Sequence, residues 1–245
     1  MKRRSVALSV ATIASAMLTA AVATAEPRGV IELFTSQGCS SCPPADKLAG
    51  ELARDPSLIV LSLPVDYWDY LGWKDTLADP RNTARWQAYS KSRGDRERYT
   101  PQVVVNGAAH ALGSDRAAIE KAIAKSRQNE AVMSVPVSVS RSGDQLTIAL
   151  PDGAPPAAAA VSVWGFAKAV TVMITRGENK GRTITYHNVV RRWVDLGAWD
   201  ASAHRWSVPL RDLAGDGIEV AAVLVQTGSA DMPSVMLGAA MTPIH

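Results

Sequence analysis

The sequence predicts an α/β domain with a four-stranded mixed sheet and three main helices, followed by an all-β, sandwich-like domain. Three observations carry this expectation. Apolar runs of strand length alternate with helical spacing as far as Glu130; period-two alternation replaces that spacing afterwards; Gly, Asn and Pro turn signals separate the runs. The 245 residues leave room for two modest cores, one over 26–130 and one over 131–245.

Residues 1–25 stand apart from both. Lys2, Arg3 and Arg4 precede an apolar stretch from Val6 to Val22, about 17 residues long, and Ala23-Thr24-Ala25 supplies the small residues of a cleavage site. This is the pattern of an export signal, too short and alanine-rich for a retained anchor. The expected location is periplasmic or secreted, with no membrane span after cleavage. The adjacent arginines leave the general and twin-arginine routes both open.

With the leader's three cations removed, 23 basic residues face 23 acidic ones. Such a chain has no long-range field to gather phosphates, so nucleic acid is not an expected partner. Gly-rich phosphate loops and a Gly-x-Ser-x-Gly setting are absent, which argues against nucleotide cofactors and serine hydrolysis.

Val30 to Thr35 reads as a buried strand, broken at Gln37-Gly38. Pro43 and Pro44 suit a helix's first turn, and Ala45, Leu48, Ala49 and Leu52 share one face, so a helix begins at the cysteines. Leu58 to Leu63 is the second strand. Asp79-Pro80 opens a second helix reaching about Lys91. Gln102 to Val105 is the third strand, Asn106-Gly107 signals a hairpin, and Ala108 to Leu112 returns as the fourth. Ser114 caps a third helix with Ala118, Ile119, Ala122 and Ile123 on one face. Beyond Glu130 the strand candidates are Val135 to Val139, Leu146 to Leu150, Val161 to Phe166, Val170 to Thr175, Thr183 to Val190, His204 to Leu210, Ile218 to Gln226 and Val235 to Met241. Pro151 to Ala160 reads as a loop.

The chain has two cysteines, Cys39 and Cys42. A disulfide across so short a span removes little entropy from the unfolded chain, so chemistry is a better motive for it than stability. A thiol at a helix start faces free backbone N–H groups and the positive end of the macrodipole, both of which favour thiolate. Cys39 is the expected nucleophile and Cys42 the resolving thiol, exchanging disulfides through a mixed-disulfide intermediate. A zinc site would need further ligands from His110, His187, His204 and His245, none at His-x₃₋₅-His spacing. A two-thiolate Cu(I) site with one histidine needs no second motif and stays open, as does a non-catalytic interaction protein.

Ile31 to Asp46, I-E-L-F-T-S-Q-G-C-S-S-C-P-P-A-D, Val65 to Asp75, V-D-Y-W-D-Y-L-G-W-K-D, and Tyr99 to Gly107, Y-T-P-Q-V-V-V-N-G, resemble a secreted bacterial family catalogued as domain of unknown function 1223. Tyr186 to Arg191, Y-H-N-V-V-R, resembles its C-terminal part. The resemblance implies a thioredoxin-like fold with an appended β domain and supplies no established reaction. It places Thr100-Pro101 as a cis-proline loop against the dithiol, offering backbone groups to an extended substrate. Glu32 lies seven residues before Cys39, which turns it to the face opposite the buried proton-transfer aspartate of thioredoxins, and that role is not carried onto it.

Tyr67, Trp68, Tyr70 and Trp73 follow the second strand, at the sheet end where the helix starts lie, and Trp68, Tyr70 and Trp73 with Thr100 are the candidate substrate-binding residues. Asp66 and Asp69 could serve the thiols or be solvated loop acids. Arg191, Arg192 and Trp193 could bind an anion, face the first domain or be a plain strand. His110 reads as a core histidine. The expected function is thiol–disulfide exchange with protein or small-molecule partners by Cys39, Cys42 and Pro101, without a bound cofactor.

Overall fold

The computed structural model describes residues 27–153 and 158–245; the expected export signal, residues 1–25, and part of the Pro/Ala-rich loop lie outside the described residues. Strands β1 (Gly29–Thr35) and β2 (Leu58–Pro64) pair in parallel, and all of their residues are buried, which is why both read as unbroken apolar runs. β3 (Gln102–Val105) lies antiparallel on the other side of β1 and returns as β4 (Ala109–Leu112). The turn uses Asn106 and Gly107 at φ of 49° and 74°. Asn106 also accepts the Val30 N–H at 2.7 Å and donates to Ser126 Oγ at 2.8 Å, tying the turn to the first strand.

Helices α1 (Pro43–Leu52) and α3 (Arg116–Ser126) cover one face, packing Leu48, Ala49, Ile119 and Ile123 on Ile31, Leu33 and Val103. Helix α2 (Pro80–Arg93) covers the other, with Trp86 and Tyr89 against Val30, Phe34 and Leu61. Asp79 caps α2 by accepting the Arg81 N–H at 2.8 Å. The cap of α3 is Asp115, one residue beyond the expected Ser114.

The outer edge of β2 is not free. β8 (Thr183–Trp199) joins it in parallel at Ser62 and Val189, and β7 (Ala159–Met173), β10 (Val220–Ser229) and β11 (Met232–Pro243) continue the sheet in the order β11-β10-β7-β8-β2-β1-β3-β4. A smaller sheet of β5 (Ser138–Ser142), β6 (Gln145–Leu150) and β9 (His204–Pro209) packs Leu146, Ile148 and Val208 onto Val161, Val163, Val223 and Leu237.

This corrects the expected fold class. The chain does not form a self-contained four-stranded thioredoxin-like α/β core followed by a sandwich-like domain. It is mostly β, with one eight-stranded mixed sheet crossing both halves and a three-stranded sheet beside it. The reason lies in pairing at long sequence separation: an open edge at β2 would leave N–H and C=O groups unsatisfied, and β8 covers it. The expected strands Val161 to Phe166 and Val170 to Thr175 are likewise one strand of 15 residues, bulged at Gly165–Phe166.

One buried polar group spans the layers. Glu32 of β1 takes a bidentate ion pair from Arg85 of α2, at 2.5 and 2.9 Å, and accepts a hydrogen bond from the Tyr89 hydroxyl. Gln226 of β10 accepts from Arg85 at 2.8 Å and donates to Tyr89 at 2.8 Å. Trp164 and Trp193 stack on each other, with the Arg85 guanidinium 4.6 Å from the Trp164 ring centre.

Removing only the cation strands a buried carboxylate. Arg85→Met is expected to cost about 3–5 kcal/mol in urea unfolding, whereas Arg85→Met combined with Glu32→Gln recovers a substantial part of that loss. Equal losses in the two variants would refute the pairing as the source.

Candidate functional site

The site grows from the end of β1. After Thr35 the chain turns through Ser36 to Ser41 and enters α1 with Cys42 as the residue before the first helical position. Cys39 N–H donates to Ser36 O at 3.1 Å and Cys42 N–H to Cys39 O at 3.2 Å, so two tight turns set the cysteines side by side. They form a disulfide with Cα atoms 5.4 Å apart. Cys42 is wholly buried, and Cys39 is 4% exposed. Gly38 is needed because a Cβ there would collide with Trp68.

The free N–H groups expected to favour a thiolate are largely spent. Pro43 and Pro44 have none, the Ala45 and Asp46 N–H groups donate to Cys42 O, and Ser40 N–H donates to the Glu178 carboxylate at 3.2 Å. The helix macrodipole remains, opposed by the negative charge of Glu178.

Glu178 sits on the connection between β7 and β8, which straps the dithiol turn. Its neighbour Asn179, buried to 1%, donates from Nδ2 to Gln37 O at 2.9 Å and Cys39 O at 2.8 Å. Gln37 is fixed further by Asp75 Oδ2, which accepts its N–H at 2.7 Å, and by Trp73 Nε1, which donates to its side-chain oxygen at 2.7 Å.

Beside Cys39 lies a groove of about 520 Å³ lined by Ser40, Ser41, Tyr67, Trp68, Trp86, Arg98, Tyr99, Thr100 and Glu178. The Thr100–Pro101 peptide bond is cis, and Thr100 O stands 3.6 Å from Cys39 Sγ. Trp68 Nε1 donates to Thr100 Oγ1 at 2.8 Å, joining the aromatic cluster to the proline loop. Pro101 itself is buried, converging with Leu33 and Ala45 around Gly113.

Of the candidate substrate-binding residues, Trp68 and Thr100 line the groove. Tyr70, 71% exposed, stacks on Trp68 at its margin, and Trp73 supports the dithiol turn through Gln37 instead. Asp66 accepts a hydrogen bond from the Thr83 hydroxyl of α2 and Asp69 from the Asp75 N–H, so both are engaged in local structure. Arg191 donates to Leu77 O at 3.1 Å, facing the N-terminal half, while Arg192 reaches Asp216. His110 is half-buried between Tyr99 and Asp95 rather than in the core. No histidine lines the groove, and no cluster of three His, Cys, Asp or Glu side chains suited to a metal occurs among the described residues.

Sequence reasoning missed five residues. Asp46 and Asp75 are buried carboxyls. Asp46, wholly buried one turn after Cys42, accepts a hydrogen bond from Thr35 Oγ1 at 2.7 Å, and its other oxygen has no partner among the described residues. Burial pushes its pKa from 3.8 up to about 8, partly countered by Thr35 and reinforced by Asp75. Burial raises Asp75 as well, against three backbone N–H donors. The hydroxyl of Tyr186 on β8 also has no partner among the described residues, and burial and both carboxyls raise its pKa, holding it protonated. The signal for Asp46 was its place on the apolar face of α1 with Cys42, Ala45 and Ala49. Glu178 and Asn179 gave none, being remote in sequence.

A family model described as Protein of unknown function (DUF1223) matches residues 30–226. A protein of Agrobacterium tumefaciens with an X-ray crystal structure is 34% identical, with a TM-score of 0.79 over 89% of this chain and 95% of that one. HBP35 of Porphyromonas gingivalis aligns with a TM-score of 0.60 over 89% of this chain and 75% of its own, at 13% identity, a likeness of fold alone. No curated protein matches the chain.

Two outcomes follow from this electrostatic arrangement. The folded chain keeps a proton on Asp46 that the unfolded chain releases above about pH 4. Its contribution to stability is therefore full below that pH and declines up to about pH 8, by at most about 1.4 kcal/mol per pH unit; Asp46→Asn should flatten that limb in urea titrations. In the reduced protein, Glu178→Gln removes a charge that opposes the Cys39 thiolate, so alkylation by iodoacetamide at pH 7 should quicken roughly two- to threefold. An unchanged rate would show that Glu178 does not act on the thiol.

Proposed function

The chain belongs to the DUF1223 family, and on that premise we propose that it is an exported thiol–disulfide oxidoreductase. The observation that carries this reading is the Cys39–Cys42 disulfide at the head of α1, beside a groove whose Thr100 carbonyl lies 3.6 Å from Cys39 Sγ. Cys39 borders the groove and Cys42 is sealed behind it, which supports attack at Cys39 and resolution by Cys42.

In the reducing direction the Cys39 thiolate attacks a substrate disulfide. One sulfur–sulfur bond forms, the substrate bond breaks, and its outer sulfur leaves as thiolate and takes a proton. Cys42 then loses its proton and attacks Cys39, re-forming the internal disulfide and releasing the second substrate thiol. The oxidising direction reverses these steps. The cis Thr100–Pro101 loop positions the partner, with Trp68 and Tyr70 as an aromatic margin for an extended chain. The basic, apolar character of residues 1–22 supports export to a compartment where disulfides persist.

Cys42→Ser expressed in the native host should trap mixed disulfides through Cys39 and recover specific partners on non-reducing gels. Cys39→Ser should abolish both trapping and insulin reduction. No partner under oxidising or reducing conditions, together with no insulin turnover by the unaltered protein, would overturn the proposal.

A further inference from the structure

The buried carboxyl of Asp46 has no part in the exchange written above, yet it lies one helical turn after the inner cysteine. Asp46 N–H donates to Cys42 O at 3.1 Å, so one helical turn separates them and their side chains project from the same face of α1. Both are buried, Cys42 fully and Asp46 to 1% exposure. One Asp46 oxygen is held by Thr35 of β1, and the other meets no hydrogen-bonding group among the described residues. An orphaned oxygen at such depth normally carries a penalty, and its retention one turn from a leaving sulfur calls for a use.

We propose that Asp46 is the proton donor and acceptor for Cys42, protonating its sulfur as the internal disulfide opens and taking the proton back as it closes. The inference rests on the reading of Cys39–Cys42 as an exchanging pair and supplies its missing acid and base.

The opening step balances as follows. An incoming thiolate bonds to Cys39, the Cys39–Cys42 bond breaks, and both bonding electrons remain on Cys42. The Asp46 carboxyl passes its proton to that sulfur and becomes a carboxylate. In the closing step the Cys42 thiol returns the proton to Asp46, attacks Cys39 and expels the partner as thiolate. No external oxidant or reductant beyond the partner's thiol or disulfide is required. Without a local donor, Cys42 would leave as a bare thiolate in a site closed to water, which is costly.

The surroundings suit a group that must change charge without solvent. From β1 comes the Thr35 hydroxyl, from the segment before α2 the Asp75 carboxyl, and from β8 the unpartnered Tyr186 hydroxyl, with His187 against Gly50 one turn further along α1. Burial and Asp75 keep Asp46 protonated at neutral pH, with its midpoint pushed up to about 8, so the donor is loaded in the disulfide form.

The test is reduction of the purified disulfide by dithiothreitol under single-turnover conditions from pH 5.5 to 9.5, with rates divided by the dithiothreitol thiolate concentration. The unaltered protein should slow as pH passes about 8. Asp46→Asn should be roughly ten- to a hundredfold slower at pH 7 and show no such break. A variant within twofold of the unaltered rate, or with the same break, overturns the inference. Should Asp46→Asn not fold, Thr35→Val keeps the carboxyl but removes the bond favouring its charged form, so the break must move to higher pH; a break that stays in place is equally fatal. Insulin turnover separates this from the broader reading. A protein that reduces insulin but ignores Asp46→Asn loses only the inference. One with the expected dithiothreitol profile but no insulin turnover or trapped partner loses only the proposed physiological role.

Discussion

Strands β2 and β8 meet at Ser62 and Val189, and side chains complete what that short ladder begins. Asn188, at φ 49°, donates to Val60 O at 2.9 Å, and Ser62 Oγ donates to His187 O at 2.7 Å. This seam satisfies an edge that would otherwise face solvent or a neighbouring chain, and it also places β8 beside α1. From there Tyr186 reaches the neighbourhood of Asp46, and the turn before β8 carries Glu178 and Asn179 onto the cysteines. The candidate site thus belongs to both halves of the chain through one junction.

The dithiol turn owes its electrostatics to what the two prolines remove. With Pro43 and Pro44 at its head, α1 offers its macrodipole but few free N–H groups, and Glu178 places a carboxylate on the Ser40 N–H of the turn before it. The inner sulfur faces a different environment, closed to water and backed by a carboxyl that burial keeps neutral. Outer and inner cysteine are three residues apart in sequence, yet one borders a groove ringed by Trp68, Arg98 and Tyr99 and the other borders the core.

Local signals were legible in the sequence wherever they depended on near neighbours. Asp79-Pro80 marked the start of α2, Asn106-Gly107 the turn into β4, and Cys42-Pro43-Pro44 the start of α1. What could not be read was pairing across long separations. Nothing in L-I-V-L-S-L shows whether its outer edge is covered, so the sequence pattern predicts a four-stranded sheet where eight strands pair. Trp73 and Trp68 looked equivalent in composition, but the 3-10 turn Asp66–Leu71 sends one to Gln37 and the other to Thr100. Asp46 was visible only as an acid on an apolar helical face, a pattern whose meaning depended on β8 closing over it.

The strap at Asn179 has a temporal side. The residue that bonds the Cys39 carbonyl is made 140 positions after it. A growing chain therefore presents its two sulfurs to the surroundings, in an open and well-hydrated turn, long before the segments that enclose them have been synthesised. The finished environment of the pair is acquired late, and a chain interrupted before Glu178 would carry the same cysteines without the contacts that the strap makes to Gln37, Cys39 and Ser40.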